Sequence, residues 1–64
     1  MAAKRKQVTV VMITAAGSVY QWRADEATVH INRDGKAFLN VYNSEEAGTF
    51  GIEIPRGGQV EVRP

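Results

Sequence analysis

His30 is the only histidine in this 64-residue chain, and there is no cysteine. A general base needs a positioned partner and a pocket. No serine, histidine and aspartate set can be located here by spacing. The seven acids, Asp25, Glu26, Asp34, Glu45, Glu46, Glu53 and Glu61, scatter over expected turns and outer strand faces. A cysteine-free chain has no thiolate nucleophile and no thiolate metal site, and a zinc ion would have to rest on carboxylates. The sequence therefore assigns no catalytic, cofactor or metal site and implies no enzyme and no cofactor. His30 reads instead as an imidazole hydrogen-bonded across a strand pair.

Two features suggest nucleic acid. Lys4, Arg5 and Lys6 form a basic cluster near the start. From Gln7 onward the balance reverses, with five basic residues (Arg23, Arg33, Lys36, Arg56, Arg63) against seven acids. A basic tip on a mildly acidic body is a poor footprint for phosphate binding. The segment Arg56-Gly57-Gly58 resembles one copy of an RNA-binding repeat, but turn geometry explains it better.

The remaining chemistry is aromatic: Phe38 and Tyr42 follow His30 in the stretch "HINRDGKAFLNVYN", residues 30–43. Their role depends on the face they occupy, which depends on strand register. Asn32-Arg33-Asp34-Gly35 matches a type I turn followed by glycine in the left-handed region, giving a three-residue loop with a bulge. Ile31 then opposes Ala37, Val29 opposes Leu39 and Ala27 opposes Val41, so one face is wholly apolar. A two-residue loop at Asp34-Gly35 would mix the faces, and a buried face selects strongly against such a slip. Thr28, His30, Asn32, Lys36, Phe38, Asn40 and Tyr42 consequently share the face away from the aliphatic core.

The elements around this hairpin follow from the same test. "VTVVMITAAGSVYQW" accepts a loop of Ala15-Ala16-Gly17, with Met12 opposite Tyr20 and Val10 opposite Trp22. A two-residue loop fits nearly as well, and in either case Tyr20 and Trp22 have aliphatic partners and a core role. "FGIEIPRGGQVEV" reads as a hairpin with loop Arg56-Gly57-Gly58, opposing Ile54 with Val60 and Ile52 with Val62. In "SEEAG", residues 44–48, Ser44 is placed to cap a single helical turn that Gly48 ends. Six short strands result, at about 7–14, 18–24, 27–32, 36–43, 49–54 and 59–63. Short strands at regular spacing with glycine turns predict an all-β fold, a small barrel or sandwich. Six antiparallel strands in a meander are the simplest topology. Residues 1–6 are expected to be a flexible basic tail and 7–64 a single β domain.

A chain this short buries only about 60% of its unfolded surface, so its stability is marginal. Small folds usually add disulfides, a metal or a partner subunit. Without cysteine, a partner subunit or an unusually tight core is left. "KRKQVTVVMITAAGS" imitates a secretory signal, but valine, threonine and isoleucine suit a first strand better than a signal's helical core. Cleavage near Ala16 would also leave fewer than fifty residues for a core. No run approaches the ~20 apolar residues of a membrane span. The default expectation is a cytoplasmic protein with no membrane partner.

The segment from Val8 to Asn43 resembles a loose class of small all-β proteins encoded by phages and mobile elements of actinobacteria. The shared pattern is a strand, a small-plus-glycine turn, "V-x-[YW]", "AD", a strand, "DG" and "L-x-V". Gly17, Val19, Tyr20, Trp22, Ala24-Asp25, Asp34-Gly35, Leu39 and Val41 carry it here. Members often show an aromatic near the last strand, where this chain has only Phe50. The resemblance implies a compact β protein of accessory function and brings no catalytic residue.

Three readings compete for the Phe38 and Tyr42 face. It packs under a loop or the N-terminal arm, it is a protein interface, or it stacks bases. Exposed apolar patches rimmed by polar groups mark interfaces, and interface cores favour aromatics. The leading expectation is a non-enzymatic module contacting a protein partner or its own copies. Phe38 and Tyr42 would anchor that contact, with His30, Asn40 and Thr28 around them. The alternative is nucleic-acid binding, with Lys4, Arg5, Lys6 and Lys36 on phosphates and the aromatics on bases.

Overall fold

A computed structural model of the protein describes residues 7–64, so the basic cluster Lys4, Arg5 and Lys6 and the expected tail lie outside the described residues. Six strands are present: β1 (Val8–Ile13), β2 (Val19–Ala24), β3 (Glu26–Ile31), β4 (Ala37–Ser44), β5 (Gly48–Ile54) and β6 (Gln59–Arg63). They form two three-stranded antiparallel sheets, β2-β1-β6 and β3-β4-β5. The all-β reading with six antiparallel strands is met, as a sandwich-like pair of sheets.

Both expected three-residue loops form. Ile13 opposes Val19 and Met12 opposes Tyr20 in the first hairpin, and Val29 opposes Leu39 in the second. In the second, the Asn32 N–H donates to the Lys36 carbonyl at 2.9 Å and the Gly35 N–H to the Asn32 carbonyl at 3.1 Å. The Asn32 side chain accepts from the N–H groups of Asp34 and Lys36, which accounts for asparagine at the turn's first position. Gly35 sits at φ 80°, a conformation that an L side chain adopts only with strain. The Ala15-Ala16-Gly17 loop repeats the design and resolves the open register of the first hairpin.

The "SEEAG" stretch is a tight turn between β4 and β5. The Ser44 hydroxyl accepts from the Ala47 N–H at 2.9 Å, as a cap would, and Gly48 ends the turn at φ 69°. Just before it, β4 carries a bulge between Val41 and Ser44. Asn43 lies there at φ 56°, a region asparagine visits more readily than most residues. Its side chain donates to Asp25 at 3.1 Å and its N–H to the Thr49 hydroxyl at 3.0 Å.

The chain changes sheets twice. β2 and β3 are separated only by Asp25, whose N–H donates to the Tyr42 carbonyl, while the Glu45 N–H donates to the Arg23 carbonyl. Strands that bend from one sheet into the other make the corners of such sandwiches. The second change corrects the expected third hairpin. Ile54 does not pair with Val60, nor Ile52 with Val62; β6 pairs with β1, setting Val60 opposite Met12 and Val62 opposite Val10. Consecutive pairing of a meander therefore holds within β1-β2 and β3-β4-β5 and breaks at the two sheet changes. The turn Pro55 to Gly58 carries the second one, with the Gly58 N–H on the Pro55 carbonyl. A Cβ at Gly58 would lie 3.0 Å from that carbonyl and 3.1 Å from the Ile13 carbonyl, so glycine is what lets β6 approach β1.

The core is Val10, Ala24, Leu39 and Val41, with Val8, Trp22, Ala27, Phe50, Ile52, Ile54 and Val60 packed around it. Trp22 joins the sheets by tilting against Phe50, ring centroids 5.2 Å apart, and Tyr20 stacks on its other side at 6.2 Å. Trp22 thus takes its expected core role, whereas Tyr20 remains half exposed. The apolar face of the second hairpin is also only partly covered. Leu39 and Val41 are fully buried, but Val29 is 49% and Ile31 70% exposed. The first sheet covers the half of its partner nearest the Asp25 corner, and β3 runs out from under it beyond Ala27.

Candidate interaction face

The outer face of β3-β4-β5 collects the residues singled out above. Strand alternation puts Thr28 and His30 of β3 beside Phe38, Asn40 and Tyr42 of β4. The ladder pairs His30 with Phe38, Thr28 with Asn40 and Glu26 with Tyr42. On the other side, Phe38 meets Glu53 and Asn40 meets Gly51 of β5. His30, Phe38, Asn40 and Tyr42 all point away from the core, and Lys36 precedes them with the same parity.

Contacts within the face are specific. The imidazole of His30 stacks on the Phe38 ring with centroids 5.5 Å apart and planes 20° from parallel. The Asn40 amide nitrogen lies 3.0 Å from His30 Nδ1. The amide nitrogen donates and Nδ1 accepts. Asn40 finds room for this because it lies over Gly51, where a Cβ would come within 2.9 Å of its Oδ1. His30 is therefore bonded across the strand pair, as the sequence suggested. Its ring meets an amide and an aromatic ring, neither a nucleophile nor a carboxylate.

Phe38 and Asn40 are half-buried by their strand neighbours, His30 and Thr28 are exposed, and Tyr42 is 38% exposed. No described strand or turn packs over this face. Glu26 and Glu53 stand at its rim, and Lys36 is the nearest cation by register. Gly51, Glu26, Glu53 and the bulge residue Asn43 were not singled out by sequence reasoning. Gly51 carried a usable signal, since a glycine inside a strand pattern marks a bulge or a close approach.

Elsewhere the surface offers little enclosure. An open cleft of about 420 Å³ lies between the second hairpin's turn and the Pro55–Gly58 turn, lined by Asp34, Lys36, Glu53 and Arg56 among others. Its charges alternate in sign, and it lacks serine, threonine and histidine. Among the described residues no three His, Asp or Glu side chains converge as a metal site would require, and no helix is long and apolar enough to cross a membrane. No protein-family model, curated protein or solved structure matches the chain.

Proposed function

We propose that this protein is a non-enzymatic interaction module that works through the outer face of β3-β4-β5 and contacts a protein, its own copies included. The observation that carries the reading is the His30-Phe38-Asn40-Tyr42 face itself: ordered by stacking and a cross-strand hydrogen bond, yet uncovered by any described element. Side chains held in place before contact lose less freedom on binding, and aromatics supply area at low entropic cost. An accessory role of the kind the sequence resemblance implies agrees with this.

Nucleic acid is the second reading, with Lys36 beside the aromatics and Lys4, Arg5 and Lys6 supplying the other cations. The rim of the face argues against it, because Glu26 and Glu53 flank the rings and would repel phosphate. Phe38→Ala tests the main reading. Contact made through this face, read as partner capture, should fall while the far-ultraviolet circular dichroism stays native. Unfolding of the variant with no separate effect on association makes Phe38 structural and removes the reading. A salt-sensitive gel shift with oligonucleotides, lost on deleting residues 1–6, would favour the second one instead.

A further inference from the structure

Two three-stranded sheets leave four edge strands, and three of them are defended over at least part of their length. At the end of β2, the Arg23 N–H donates to Glu46 Oε1 and the Arg23 carbonyl accepts from the Glu45 N–H, so the turn after β4 covers that end of the edge. β6 carries the Glu61–Arg63 ion pair at 2.6 Å and runs into Pro64. β5 contains Gly51 and Glu53 and is followed at once by Pro55. Charges, prolines and bulges are the devices that stop sheets adding strands. β3, "EATVHI", has one acid at its start and no proline, lysine or bulge.

The free backbone groups of β3 can be assigned. Hydrogen-bonded and non-bonded pairs alternate along an antiparallel ladder. Asn32 is bonded to Lys36, so His30 and Thr28 also turn their backbone groups toward β4. Those of Ala27, Val29 and Ile31 point outward, to the open edge. The same two large residues, Val29 and Ile31, have their side chains on the inner face and largely exposed.

We propose that β3 is the seat of a second copy of this chain, paired antiparallel about a two-fold axis through Val29. In that register Val29 exchanges backbone hydrogen bonds with Val29 of the second copy, and Ala27 with Ile31. Every outward group of the strand then finds a partner. A shift by one residue would put Val29 and Ile31 opposite polar side chains of the second copy and break the shared apolar face. Charge agrees with the antiparallel sense, because the Glu26 end of one strand meets the turn bearing Arg33 of the other. The result is one six-stranded sheet in which both Phe38 faces lie on the same side. This rests on the edge and not on the Phe38 reading, though it would double that surface. A five-residue strand pair is a small interface by the usual standard, so the dimer dissociates on dilution.

Sedimentation velocity and light scattering over micromolar to millimolar protein test it. The wild type should move from monomer to dimer. Val29→Pro removes an outward N–H while sparing the bonds to β4, and Ile31→Lys places a charge on the edge. Each should raise the dimer dissociation constant by about tenfold or more. If Val29→Pro fails to fold, Ile31→Lys alone decides. Phe38→Ala should leave the dimer intact. A wild type that stays monomeric throughout overturns the proposal, as does a dimer unmoved by Ile31→Lys. A dimer lost in Phe38→Ala but kept in Ile31→Lys would place self-association on the aromatic face and overturn it equally.

Discussion

The two sheets turn similar apolar faces inward but differ on their outer sides. Outside β2-β1-β6, the residues are Thr9, Gln21, Arg23, Gln59, Glu61 and Arg63 around Val11 on the central strand, with Ile13 and the exposed Val19 at the hairpin end. Outside β3-β4-β5 they include Phe38 stacked on the His30 imidazole, which the Asn40 amide bonds, with Tyr42 farther along β4. The edges differ in the same direction, since β2 and β6 are capped or charged and β3 is open. The first sheet is the more polar toward solvent, and the second carries the aromatic cluster and the open edge. In a chain too small for a large core, contacts beyond the monomer are a natural source of further stability.

Four substitutions break or sharpen that contrast. The largest effect is expected at Trp22, the aromatic of the first sheet that bridges to Phe50. Trp22→Ala should cost about 3 kcal/mol, the low end for such truncations because the ring is only half-buried. Urea denaturation monitored by circular dichroism would measure it, and in so small a domain the variant should be largely unfolded in dilute buffer. Next is Asn43, which holds the bulge joining the sheets. Asn43→Val should lose about 2 kcal/mol through left-handed backbone strain and the missing bond to Asp25. Asn43→Gly should recover the backbone part, and thermal melts of the two variants separate the contributions.

Phe38, the aromatic of the second sheet, supplies the direct contrast with Trp22. Phe38→Ala should lower monomer stability by about 1 kcal/mol, the scale of a cross-strand pair, while partner capture by the outer face falls and the β3-paired dimer persists. A loss equal to that of Trp22→Ala would erase the distinction between the sheets. The smallest effect is expected at Arg63, whose guanidinium pKa is raised by its hydrogen bond to Glu61 and that residue's charge. The pair is exposed, and exposed ion pairs contribute little to stability. Arg63→Gln should leave the melting midpoint unchanged.

Much of this was legible in the sequence, for identifiable reasons. Gly35 closes a three-residue loop, and the buried face permits one register there, whereas at Gly17 a two-residue loop fits nearly as well and only the structure decides. Phe38 and Tyr42 could therefore be placed on the outer face by alternation alone. The partner of β6 was not legible. Val60 and Val62 face inward whether β6 lies beside β5 or β1, so periodicity reveals their facing but not their neighbour. Val29 and Ile31 looked like core because alternation cannot show how far one sheet overlaps the other. The Asn43 bulge was hidden because asparagine is also ordinary at strand ends, and its bond to Asp25 spans 18 residues.

Residue-resolved amide hydrogen exchange, compared at micromolar and millimolar protein, tests the account most directly. Ala27, Val29 and Ile31 have outward N–H groups that nothing in the monomer's ladder protects. Their exchange should slow at high concentration, while amides of β1, β2 and β6 keep their rates. Slowing along β2 or β6, or none anywhere, would contradict the assignment of the β3-β4-β5 sheet as the one that meets a second copy.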